Sequence, residues 1–378
     1  MLGFVLAGGA ARGAYQAGVL RFIVQELLPR LGPSVWPQVV SGTSVGALNG
    51  AFAASHDERA ILRLSELWRT IVIDDVYRVS GGNVLRVLKS LVSPVPGVAL
   101  LDPTPLYGLV AREHPLPIVH KNIDEGRLHA FIISATRLET GTNELFVDSA
   151  AQLALRPLGN ARVAQARITA RHLLASSALP LLFPPVHIGD HTYVDGGLRA
   201  NTPLRPVISA GVRRALILGV QAQAGQAAPL HQVTPTLPFL AGKTLNALMM
   251  DPVARDLAEA ELVNRIARWG HSRYGEGFVE ALGQECGVHP VRTLFLRPSV
   301  DLGRVAATSY LRHPPDADAS VRRLLDFLID RPNLEEGESD MLSYLYFDHS
   351  FTQDIEDLGF EDAGHHQEAL AGILTEPT

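Results

Sequence analysis

Two strand-turn-helix units within the first fifty residues constrain this chain more than any other feature. Gly3 to Ala7 form an apolar run that ends in a glycine-rich turn, after which Tyr15, Val19, Phe22, Ile23 and Leu27 recur at helical spacing. Val39 and Val40 read as a second short buried strand, Ser41 to Ser44 as its turn, and Val45 to Ala54 as a helix of small residues. Strands joined through helices run parallel, so the pattern predicts an α/β fold with helices on both faces of the sheet.

Later segments extend the pattern. His129 to Thr136, Asn143 to Asp148, Ala215 to Val220 and Val291 to Leu296 read as strands, and Val186 to Val194 as a hairpin turning at Gly189-Asp190. Helices are expected over 57–70, Ile168 to Ala178, Pro203 to Ala210, 236–250, 252–269 and from 301 onward, while 74–120 has no clear period and reads as an excursion from the sheet. A polar linker over 221–230 suggests a core of residues 1–225 and a C-terminal helical extension, 226–378, that adds one strand and packs on the same domain.

Composition narrows the function classes. Hydrophobic residues make up 47% and charged residues 19%, which excludes disorder, collagen and coiled coil as whole-chain readings. The one cysteine, Cys286, allows no intrachain disulfide and builds no thiolate metal site alone. Met1 to Gly13 lacks the positive region of a signal peptide. The apolar stretch Leu173 to Val186 is broken by Pro180, Pro184 and Pro185 and is too short to span a bilayer, so a cytoplasmic protein is expected. Net charge is −6, but 332–378 holds 12 Asp/Glu and no Lys/Arg, leaving 1–331 at +6. That surplus would favour peripheral contact with anionic lipid, and the acidic tail opposes it. Asp354 to Gly359 lacks EF-hand spacing and reads as solvated helix, no metal or other cofactor is expected, and no basic run or zinc spacing supports nucleic-acid binding.

Two loops carry chemistry. Gly42-Thr43-Ser44-Val45-Gly46 is a GxSxG at a strand-to-helix turn, where the glycines allow a sharp bend that exposes the Ser44 hydroxyl at the C-terminal edge of the sheet. Gly8-Gly9-Ala10-Ala11-Arg12-Gly13 presents backbone N–H groups at the opening of a helix, a setting that favours an anion. Dinucleotide binding is disfavoured, since Ala10 stands where that fingerprint needs glycine and the second strand ends without an acidic residue. Adjacent parallel strands would bring the two loops together as a nucleophile beside an oxyanion hole, which makes acyl transfer the natural reaction class. Ser44 needs a base, and Asp195, entering the turn Asp195-Gly196-Gly197 from an apolar strand, could deliver a carboxylate.

In order and spacing, GGAARG at 8–13, GTSVG at 42–46, Ser176 to Pro180 with Phe183 to Val186, and DGGLRANTP at 195–203 resemble the patatin-like phospholipase family. The resemblance implies a three-layer α/β/α fold with added C-terminal helices and a lipid acyl hydrolase, such as a phospholipase A, lysophospholipase or esterase. It implies Ser44 and Asp195 as a catalytic dyad without histidine, acting through an acyl-enzyme, with an oxyanion hole from Gly8, Gly9 and Ala10. Gly13, Gly42, Gly46, Gly196 and Gly197 would support the loops, and Arg12 would brace the first of them or meet a phosphate. Ala10 departs from the family's usual third glycine, with strain of roughly 1 to 2 kcal/mol if the position needs φ > 0. Desolvation is expected to raise the Asp195 pKa. The alternatives are a non-catalytic lipid-binding or scaffold protein of the same fold, or an acyltransferase to an acceptor other than water. The apolar segments 91–106 and 235–250 read as a lid, as an interface-binding surface or as buried core. The sequence leaves the oligomeric state open.

Overall fold

A computed structural model describes residues 1–79, 99–153, 155, 161–222, 236–286, 288–329 and 339–375. Eleven strands occur in this part of the chain: β1 (Leu2–Leu6), β2 (Val39–Thr43), β3 (Arg78–Val79), β4 (Leu101–Asp102), β5 (Ala130–Arg137), β6 (Thr142–Asp148), β7 (Ala161–Gln165), β8 (Val186–Ile188), β9 (His191–Asp195), β10 (Arg214–Leu218) and β11 (Arg292–Leu296). The main sheet runs β11-β10-β1-β2-β5-β6-β7, with β9 paired to β5 and β8 to β9. From β11 to β5 every pair is parallel. β6 and β9 both run antiparallel to β5. β3 and β4 form a separate two-stranded ribbon.

Successive side chains of a strand point to opposite faces, and here they divide into two separate cores. Phe4, Leu6, Val40, Phe131 and Ile133 pack on one side with the helices Ala14–Phe22, Val45–Ala54 and Glu58–Thr70. Val5, Val39, Ala130, Ile132 and Ile217 pack on the other with the helix Leu204–Ser209 and part of the long helix Leu237–Tyr274. Two apolar faces on one sheet make the three-layer α/β/α fold.

Three expectations differ from the structure. Among the described residues of 74–120 lie the helix Thr104–Glu113 and the start of Leu116–Asp124, each opened by prolines, which obscure the apolar period but suit a first helical turn. The expected pair of helices over 236–269 is one continuous helix, Leu237–Tyr274, whose backbone carries on through Pro252. An internal proline removes one helical hydrogen bond, and a helix of 38 residues retains the rest.

The helix of the acidic C-terminal segment is solvated on one face only, with Ile355, Glu356 and Asp362 buried on the other. That helix, His349–His365, crosses Ala14–Phe22 so closely that a Cβ on Gly18 would strike the Glu356 carbonyl, and one on Gly359 the Tyr15 carbonyl. Glu356 is fully buried, accepting from Arg21 Nε at 2.8 Å, Arg69 Nη1 at 2.8 Å and Ser65 Oγ at 2.6 Å. Tail charge therefore serves ion pairing with the N-terminal layer. Of the two segments read as lid, interface-binding surface or core, 91–98 and residue 235 lie outside the described residues.

Candidate active site

Ser44 follows β2 directly and caps the helix Val45–Ala54 with φ 56° and ψ −129°. A side chain other than glycine held at positive φ is strained, which is the form a sharp strand-to-helix elbow takes. The strand runs through Thr43, so the bend is confined to Ser44 rather than spread over Ser41 to Ser44. Close packing makes the elbow possible, since a Cβ on Gly46 would collide with the Leu6 carbonyl and one on Gly42 with that of Gly46.

The first loop lies against this elbow. A Cβ built on Gly8 would stand 3.1 Å from Ser44 Cβ and would collide with Asn201 Oδ1. Ala10 has φ 51°, the left-handed conformation in which alanine is strained. The Gly8 N–H is already committed, donating to the Asn201 carbonyl at 3.1 Å, while Asn201 Nδ2 donates to the Gly8 carbonyl at 3.2 Å. Gly8 therefore departs from its expected place among the oxyanion donors. The N–H groups of Gly9 and Ala10 meet no acceptor among the described residues.

The register of β5 brings Asp195 to the same point. Ser134 pairs with Thr43 at the end of β2, and the next residue, Ala135, pairs with Asp195 at the end of β9. Both strands meet the same edge of β5 from opposite directions, so Ser44 and Asp195 sit side by side although they are far apart in the chain. Asp195 is fully buried. Its Oδ1 accepts from the Gly197 N–H at 2.7 Å, and its Oδ2 has no hydrogen-bond donor. Burial pushes its pKa up to about 7, against the opposing pull of the Ser44 hydroxyl and the Gly197 N–H. At neutral pH the carboxyl is therefore poised between its two protonation states.

Several residues that the motif reading quoted without a role hold these groups in place. Ser176 Oγ accepts from the Ser44 N–H at 2.9 Å and donates to the Ser134 carbonyl at 2.7 Å. The Ala178 carbonyl accepts from the Asp195 N–H at 2.9 Å, and the Ala200 carbonyl from Thr43 Oγ1 at 2.7 Å. Thus the Ser176-Ser177-Ala178 and Ala200-Asn201 stretches are scaffolding for the two loops. Gly13 packs on Val45, and Asn49 Nδ2 donates to its carbonyl at 2.9 Å. Gly196 lies flat against the Ser134 carbonyl, where a Cβ would not fit.

Arg12 is buried against the C-terminal extension rather than open to a ligand. Its Nη2 donates to Asp340 Oδ1 at 2.8 Å and its Nε to Ser343 Oγ at 2.8 Å, with the guanidinium 4.1 Å from the Tyr344 ring centre. Of its two expected roles the bracing one fits these contacts. Its partners lie in a part of the chain where sequence gives no hint of the pairing.

A model of the patatin-like phospholipase family matches residues 4–208. The chain belongs to this family. A patatin-like phospholipase domain-containing protein of Caenorhabditis elegans is 35% identical over 98 residues, 26% of this chain. The match takes in 8% of that relative's length. The crystal structure of VipD from Legionella pneumophila aligns with 94% of this chain and 66% of its own at 14% identity and a TM-score of 0.38. The family match spans β1 through the helix Leu204–Ser209 and so includes Ser44 and Asp195, while the Arg12 partners lie outside it.

Beside the elbow of this patatin-like chain lies a narrow apolar pocket that opens to the surface. Ser44 and Ala10 line it together with Leu48, Phe52, Trp68 and Leu109, among others. Among the described residues no helix is long and apolar enough to cross a membrane, and no group of three or more His, Cys, Asp or Glu is arranged to hold a metal ion.

Proposed function

We propose that the chain is a serine lipid acyl hydrolase that works through Ser44 and Asp195. One observation carries the reading: a buried carboxylate oxygen without a donor lies beside a serine in a strained elbow, at the edge of an apolar cavity. Family membership supports the lipid ester as substrate class.

In the proposed reaction the acyl chain occupies the cavity and the ester carbonyl meets the Gly9 and Ala10 N–H groups. Ser44 Oγ bonds to the carbonyl carbon as its proton passes to Asp195 Oδ2. Each N–H aimed at the developing oxyanion is worth roughly 3 kcal/mol of barrier. The tetrahedral intermediate collapses, the alcohol leaves with the proton from Asp195, and an acyl-Ser44 ester remains. Water then gives a proton to Asp195 and attacks the acyl carbon, the proton returns to Ser44, and the fatty acid departs. A carboxylate of ordinary pKa would be a weak partner for an alcohol, and the rise to about 7 brings the proton affinities closer.

Burst kinetics test this directly. A chromogenic fatty-acid ester should release one equivalent of chromophore per enzyme before steady turnover, and Ser44→Ala should abolish both phases. A burst that survives the substitution would move the nucleophile elsewhere, and lipid binding without any turnover would support the scaffold reading.

A further inference from the structure

The sheet reverses its winding direction beside the active site. β1 and β10 are parallel neighbours, yet the next major helix after β1, Ala14–Phe22, packs on one face and the next helix after β10, Leu237–Tyr274, reaches the other. Where two such connections part, the crevice at the carboxyl ends of the strands is the usual ligand site of an open α/β sheet. A cavity of about 250 Å³ occupies this crevice and opens to solvent. Ala7, Gly219 and Arg297, the residues directly after β1, β10 and β11, all line it.

The polar groups on its wall differ in what they can offer. Asn201 Nδ2 serves the Gly8 carbonyl and its Oδ1 is sealed from solvent, and Gln221 Nε2 donates to the Tyr344 hydroxyl at 2.8 Å. Arg297 is half-buried with its guanidinium 5.0 Å from the Phe295 ring centre, and among the described residues it has neither a carboxylate partner nor a hydrogen bond. Arg12, Arg21 and Arg205, by contrast, each hold a carboxylate. Thr202 also lines the cavity, and its hydroxyl makes no hydrogen bond among the described residues. A guanidinium that has given up part of its water without gaining a carboxylate favours an oxyanion, and its planar fork matches the oxygens of phosphate.

Register sets the distance from Ser44. Gly42, Leu6, Leu218 and Leu296 lie in one row across parallel strands, so Thr43, Ala7, Gly219 and Arg297 form the next row. With strands about 4.8 Å apart, Arg297 stands roughly 14 Å from Thr43 along that row, and the cavity-lining Ala7 and Gly219 stand between them. The apolar pocket runs from Ser44 past Leu48 and Phe52 on one face of the sheet, whereas Leu257 and Phe295 place this cavity on the other. An ester held at Ser44 with its acyl chain in the apolar pocket therefore sends its alcohol half toward the cavity. With bonds of about 1.5 Å, the phosphate of a monoacylglycerol phosphate substituted on its two end carbons lies about 7 Å from the acyl carbon, near the middle of that row and within reach of an arginine stem.

We propose that Arg297, assisted by the Thr202 hydroxyl, forms a phosphate subsite for the alcohol half of the substrate and so selects phosphorylated esters over neutral glycerides. Arg297 lies beyond the stretch that matches the family model, so the C-terminal extension supplies this discrimination. The proposal rests on the hydrolase reading given above. Free phosphate is the competing occupant with the same chemistry.

Hydrolysis of a matched pair of esters, a monoacylglycerol phosphate and the monoacylglycerol with the same short acyl chain, both kept monomeric in solution, tests the subsite. Wild type should favour the phosphate ester about tenfold in kcat/KM, with the difference in KM, the size of one charge-assisted hydrogen bond. In Arg297→Met the ratio should fall to near one. Arg297→Lys, which keeps the charge without the fork, should retain part of it, and Thr202→Val should lower it by about threefold. Thermal unfolding reports whether each variant keeps its fold. A wild-type ratio near one, or a ratio untouched in Arg297→Met, would overturn the subsite. Calorimetric titration with inorganic phosphate separates the two sources: phosphate binding that Arg297→Met abolishes, together with equal hydrolysis of the two esters by wild type, would assign the cavity to free phosphate and overturn the headgroup assignment. Absence of turnover with both esters would overturn the hydrolase reading and this proposal with it, an outcome distinct from turnover without preference.

Discussion

Replacing Asp195 by asparagine should separate the cost of burying this carboxyl from its use. In the folded chain its pKa is about 7, against an ordinary value of 3.8. Below pH about 4 both states hold the proton and the group contributes nothing. Between about 4 and 7 the native chain keeps a proton that the unfolded chain loses, so each pH unit costs about 1.4 kcal/mol. Above about 7 the loss levels off near 4 kcal/mol. Asparagine keeps an acceptor for the Gly197 N–H and carries no charge to desolvate. Unfolding of 378 residues has an entropy of about 0.8 kcal/mol/K, so the variant should gain up to about 5 °C in Tm relative to wild type between pH 4 and 9. Other titrating groups cancel in the difference between two scans at the same pH. Hydrolysis should be lost at every pH in the variant, and in wild type it should rise through pH about 7 as Asp195 ionises. A Tm difference that stays flat from pH 4 to 9 would refute the desolvation argument, whatever the activity does.

Two further predictions concern the frame around the site. Ala10→Gly should relieve the positive-φ strain and raise stability by about 1 kcal/mol in chemical denaturation, less the entropy that glycine loses on folding. A loss of stability would mean that the Ala10 methyl group is worth more on the cavity wall than its strain costs. Glu356→Ala should destabilise by roughly 3 kcal/mol, because it strips Arg21, Arg69 and Ser65 of a shared buried acceptor. An unchanged denaturation midpoint would show that the tail helix is held by apolar packing alone.

How far the sequence carried depends on the range of the interaction involved. The elbow at Ser44 and the glycine loop were legible because both are local events, set by where small residues interrupt an apolar strand. Ser176 and Asn201 were quoted within their motifs, but their acceptors and donors lie on other strands and nothing in the order of residues assigns those bonds. The continuous helix through Pro252 went unread for the opposite reason, since a local helix breaker outweighs distant packing in any window of sequence. Likewise the tail looked solvated by its charge until Arg21 and Arg69 gave Glu356 a buried site.

What the sequence by itself determined is the layering: short apolar runs with no polar face prescribe strands covered on both sides, and a parallel sheet between helices follows from period and connection. What only the tertiary structure decided is which polar groups remain free. Gly8 lost its N–H to Asn201, Arg12 turned to Asp340, and Asp195 kept one oxygen without a donor. Availability of a donor or acceptor depends on every neighbour in space, and adjacency along the chain supplies few of those neighbours.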